Sequence, residues 1–140
     1  MVYGTYLNSY YQIGIGNKMF IDSKNPPREF KVGLKKNIKI FDCGSISLDP
    51  DEQVTFLTEK KAEYDIVRKK WGFYATPSIN GRLKDFGLRT ALVRNKFNRY
   101  YIMLVEEGFE DDFKSYIKDE SNEIVTWLDK PKNCITDNLI

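Results

Sequence analysis

WGFYATPSINGRLKDFGLRTALVR, residues 71–94, decides the fold. It opens with aromatics fit for a short strand over 71–75. Thr76-Pro77 follows, and Pro at the first helical position after a Thr cap predicts a helix start. Ile79, Leu83 and Phe86 then fall at i, i+4 and i+7, one helical face, and Gly87 is the expected stop. Residues 88–94 read as a second strand. Residues 95–98 make a hairpin loop, and the nearly all-apolar run 100–105 reads as a central strand covered on both sides. Phe109, Phe113, Tyr116 and Ile117 mark an amphipathic helix, with Glu110, Asp111 and Asp112 in its first turn, where the dipole favours acids. A turn at Ser121-Asn122 precedes a last strand over 123–128, with Val125 and Trp127 on one face. The order β-α-β-β-α-β over 71–129 predicts a ferredoxin-like arrangement.

Working outward to the N-terminus, the chain is mostly β. Residues 10–16 and 18–22 suggest short strands, and 23–28, with Pro26 and Pro27, a loop or extended segment. Residues 37–43 alternate as a strand that resumes over 45–48 after Gly44. Asp49-Pro50-Asp51 is a turn. Residues 53–58 and 63–67 form a hairpin around Glu59-Lys60-Lys61. The expected fold class is therefore α+β, a β-rich N-terminal half followed by the ferredoxin-like pattern. One domain over 1–129 and a polar tail over 130–140 are expected.

Composition limits the chemistry. The 140 residues are 41% apolar, 30% charged and 14% aromatic, a globular balance. No apolar run is long enough for a membrane helix, and the first residues lack a secretory pattern, so a soluble cytoplasmic protein is expected. Cys43 and Cys134 are too few for a disulfide framework. Histidine is absent, which excludes Ser-His and Cys-His nucleophile pairs and the commonest zinc ligand. No metal or cofactor is implied: there is neither GxGxxG nor GxxxxGK[ST], and no calcium-loop spacing. Cys43 has no visible partner that would activate its thiol.

The net charge is +2 but unevenly spread. Eleven basic residues between Lys60 and Arg99 face only Glu63, Asp65 and Asp85. From Tyr100 to Asp129 nine acids face only Lys114 and Lys118. Such blocks are either solvated faces, an anion pocket, or complementary surfaces for association. A nucleic-acid module would carry a basic-Gly-aromatic-Gly-aromatic run in its third strand; here Arg99-Tyr100-Tyr101-Ile102-Met103 lacks the glycine, and the net charge is low, so nucleic acid is not expected.

The candidate site is the turn over 74–82. Free N–H groups at a helix start can hold an anion. Tyr74, Thr76, Ser78 and Asn80 would add polar groups, and Arg82, Arg89 and Arg94 would clamp phosphate or carboxylate. Plain capping by Thr76 or Ser78 accounts for much of the same pattern. Asn80-Gly81 inside a helix breaks local propensity, as functional sites do. The sequence thus points to binding of an anionic small molecule, with isomerase- or lyase-type acid–base chemistry by a carboxylate or tyrosine if the site is catalytic. Glu106 is the acid expected to be partly buried, as a base or as a partner of Arg89 or Arg94. The alternative is a non-enzymatic interaction or homodimerisation module built on exposed strand edges.

Overall fold

A computed structural model describes residues 19–130. The strands expected at 10–16, the tail from 131 and Cys134 lie outside the described residues. The fold is a sheet-dominated α+β arrangement of eight strands and two helices among the described residues. No helix there is long and apolar enough to cross a membrane. The chain divides into two compact units, one holding 19–53 and Val67–Tyr74, the other Val54–Ile66 and 75–130.

The first unit is built on a long antiparallel ribbon of β1 (Phe20–Val32) and β2 (Ile38–Ser47). A turn closes it, with Lys36 N–H donating to Gly33 O at 3.0 Å. Of the loop or extended segment expected at 23–28, the extended form is present, as strand. A two-stranded ribbon leaves one edge of each strand unpaired, so prolines fit where their missing N–H is not needed. The register shifts between Ser23 and Arg28 to absorb them. Strand β2 runs unbroken through Gly44, where φ is +134° and a Cβ would lie 2.1 Å from Asp22 O. Only glycine permits that approach. Asp42 gathers Lys24 at 2.6 Å, Arg28 at 3.5 Å and the Gly44 N–H at 3.1 Å. The Lys24 hydrogen bond, then that of Gly44, holds the Asp42 carboxyl below its ordinary value. The ring of Trp71 stacks on that of Tyr74 at 5.9 Å.

Strands β3 (Gln53–Leu57), β4 (Glu63–Lys69) and β5 (Gly72–Ala75) form a three-stranded sheet in that order, and the hairpin expected around Lys60 is present. The second unit then adds α1 (Arg82–Asp85), β6 (Leu88–Arg94), β7 (Tyr100–Glu106), α2 (Glu110–Asp119) and β8 (Glu123–Trp127). The order of elements is as the sequence suggests, but the pairing does not follow the ferredoxin-like pattern. The second sheet runs β7-β6-β8, all antiparallel, and β5 belongs with β4 instead.

Strand β6 is central, and β7 is an edge, which corrects the expectation for 100–105. The apolar run of β7 is not buried throughout: Tyr100, Tyr101 and Ile102 are exposed. Alternation on β6 feeds two cores. Leu88 packs with Ala62 and Leu83, joined by Tyr64 and Leu104. Ala91 and Val93 pack with Ile117 of α2, joined by Met103, Phe113, Ile124 and Trp127. A register shift between Leu92 and Val93 against β8 places Ile124 and Trp127, not Val125, opposite Val93 and Ala91.

Helix α1 is one short turn, not the helix expected from Pro77. Asn80-Gly81 is the reason: Gly81 stands at φ −138°, ψ −107°, outside the helical region, so the helix starts after it. Leu83 still points inward and is 1% exposed, while Ile79 stays exposed.

Candidate functional site

The loop before α1 satisfies its own donors. Ser78 Oγ accepts from Arg82 N–H at 3.2 Å, and Ser78 O accepts from Gly81 N–H at 3.2 Å and Leu83 N–H at 3.0 Å. Lys84 N–H donates to Gly81 O at 3.1 Å. The N-cap position is Gly81, and of the two expected capping hydroxyls it is that of Ser78, not Thr76, that accepts an N–H at the helix start. Thr76 N–H donates to Asp65 O at 3.1 Å, and its hydroxyl is buried without a hydrogen-bond partner. Asn80 is exposed. Tyr74 belongs to the first unit and is exposed against Trp71.

The three arginines stand in different settings. Arg89 donates through Nε to Asp129 Oδ2 at 2.9 Å and through Nη2 to Oδ1 at 3.4 Å, and lies 4.0 Å over the Trp127 ring. Its hydrogen bonds to Asp129 hold its pKa above the ordinary value. Arg94 donates to Glu123 at 2.7 Å. These two are five positions apart on β6, so they leave opposite faces, with Cα atoms roughly 16 Å apart along the strand. Arg82 is exposed, makes no ion pair among the described residues, and sits 5.5 Å over the Phe86 ring. Of the arginines expected to clamp an anion, Arg82 alone is therefore not held by a carboxylate.

Beside it lies a carboxylate pair that sequence reasoning passed over. Glu63 and Asp65 stand two apart on β4, which puts both on one face. Asp65 is 6% exposed and accepts from the Thr55 hydroxyl at 2.5 Å. Burial raises the Glu63 carboxyl above its ordinary value; the Asp65 charge and a hydrogen bond with it push the same way, and Arg82 pulls it down. The spacing Glu63-x-Asp65 in a strand was the available signal. It was hidden because both acids counted only as opponents of the basic block.

Glu63 opens onto a shallow hollow of about 330 Å³, with Lys60, Lys61, Asp85, Glu106 and Glu107 around it. The hollow is held by backbone bonds from Glu63 N–H to Phe86 O at 3.1 Å and from Glu107 N–H to Gly87 O at 2.9 Å. Glu106 is half-buried, and its partner is the Thr58 hydroxyl rather than an arginine. That hydroxyl in turn accepts from Ala62 N–H at 3.1 Å. Lys60 lies 4.8 Å over the Phe109 ring. Among the described residues no group of three acids or cysteines is placed to hold a metal ion. The Cys43 thiol is free and exposed on the ribbon.

No protein-family model, curated protein or solved structure matches the chain.

Proposed function

We propose that the second unit binds a small phosphate- or carboxylate-bearing molecule through Arg82, with Glu63 as the group that moves a proton. The observation that carries this reading is the unpaired Arg82 guanidinium acting on a carboxyl that burial and Asp65 keep protonated to higher pH. An exposed guanidinium without a counter-ion offers a planar fork to an incoming anion. A carboxyl whose pKa is raised keeps its proton to higher pH, and can donate it and take it back once ionised. Proton transfer beside an anionic group is the step that isomerases and lyases share. The buried, unpartnered Thr76 hydroxyl, one residue past β5 and bonded through its N–H to Asp65 O, is a spare polar group close by.

Thermal shift against inorganic phosphate and small mono- and dicarboxylates tests this. At about ten times Kd, binding adds about 1.4 kcal/mol and should raise Tm by roughly 4–8 °C. Arg82→Ala should abolish the response, and Arg94→Ala should keep it. A response that survives Arg82→Ala, or none to any of these anions, would overturn the reading.

A further inference from the structure

We propose that β7 is a dimerisation edge, pairing antiparallel with β7 of a second copy about a twofold axis at Met103. Strand β7 lies outermost in the order β7-β6-β8, and among the described residues its outer edge pairs with nothing. An open edge invites pairing, and proteins that stay monomeric blunt it with proline, bulges or charges along the strand. Strand β7 has no proline and no bulge, and its one charge, Glu106, is its last residue. Its sequence, YYIMLVE, is β-branched, aromatic and aliphatic up to its last residue, and its pairing with β6 is regular. Tyr100 and Ile102 share one face, Tyr101 the other, and they are 56%, 56% and 46% exposed. A surface of this kind has the composition of a strand that expects a neighbour.

Charge selects the occupant. Arg99 precedes the strand and Glu107 follows it; both are exposed, and neither makes an ion pair among the described residues. Antiparallel pairing centred on Met103 sets Arg99 opposite Glu107 of the second copy, and by symmetry the reverse. It sets Tyr101 opposite Val105 and Ile102 opposite Leu104. Sliding the register by two toward the acidic end would bring Glu106 opposite Ile102 and Glu107 opposite Tyr101, leaving the charges unmatched. One register therefore satisfies both the apolar centre and the charged ends. The product is a continuous six-stranded sheet, β8-β6-β7 joined to its own copy, an isologous interface.

Sedimentation velocity of the full chain across the micromolar range, with circular dichroism to confirm folding, tests this. The wild type should sediment as a dimer. Arg99→Glu and Glu107→Arg should each weaken it by about tenfold or more, because each sets like charges opposite one another twice. The double exchange, R99E with E107R, should restore it to within about threefold. Ile102→Lys, at an exposed position, should weaken the dimer with an unchanged circular dichroism spectrum. A monomeric wild type, a dimer that neither single charge reversal weakens, or a double exchange that fails to recover would each overturn the proposal. None of these outcomes bears on anion binding at Arg82.

Discussion

Arg89→Ala should destabilise the protein by about 2–3 kcal/mol. The pair it breaks is lopsided: the Asp129 side chain is 2% exposed, that of Arg89 35%. Removing the arginine leaves a buried carboxylate without its two charge-assisted hydrogen bonds. For a fully buried pair that loss is about 3–5 kcal/mol. Water reaches the arginine side, which lowers the figure, while loss of the guanidinium from the Trp127 ring adds about 0.5–1 kcal/mol. The expected fall in Tm is about 8–12 °C. Urea unfolding read by tryptophan fluorescence measures it. Arg94→Ala is the internal control, since Glu123 is 59% exposed and its pair should be worth less than about 1 kcal/mol. A double change, Arg89→Met with Asp129→Leu, should recover most of the loss, because no charge is then stranded. If Arg89→Ala costs no more than Arg94→Ala, or if the double change is as damaging as the single one, the account of Asp129 as a carboxylate dependent on Arg89 fails.

Other outcomes follow from the same geometry. Glu63 holds its proton more tightly in the folded chain than in the unfolded one, so stability should fall as pH rises from about 4 through the folded pKa. Glu63→Gln should remove that slope; parallel stability–pH curves for the two proteins would count against the raised carboxyl. The Asp42 carboxyl is shifted the other way, so its contribution is present above its unfolded pKa and fades as pH falls through the lower folded one. Asp42→Asn should flatten the acid limb of the stability curve, and an unchanged limb would refute this. Leu83→Ala, at a site 1% exposed, should cost about 2–4 kcal/mol by urea titration. Gly44→Ala forces a Cβ onto Asp22 O, so the β1–β2 amides should lose hydrogen-exchange protection, and unchanged protection would be the contrary result.

Much of the second unit was legible because its signals are local. The apolar run Ala91-Leu92-Val93 within Leu88–Arg94, the loop at Asn95 and the apolar face of Phe113 and Ile117 each fix an element within a few residues. Strand pairing is not local. Nothing in the β8 sequence says that Trp127 will lie opposite Ala91 rather than beside β5. The apolar run of β7 misled for a related reason: composition alone does not tell a buried strand from an edge. The start of α1 was misplaced because Pro77 favoured a helix while Gly81 withheld it. At the candidate site Arg82 was visible in the sequence. Glu63 and Asp65 needed burial to become informative, since an exposed pair of acids on a strand carries no chemistry.

The position of β6 between β7 and β8 has a consequence for synthesis. Strands β6 and β7 are joined by a tight loop and can pair within microseconds of leaving the ribosome. The strand that covers the other side of β6 comes later, after the whole of α2. At roughly 5–20 residues per second, the interval from 106 to 123 takes roughly one to three seconds. Through that interval the nascent chain carries Ala91 and Val93 on a strand with one side open and the helix that buries them unfinished. A ribosome stalled between α2 and β8 should therefore display the chain in its most chaperone-dependent form.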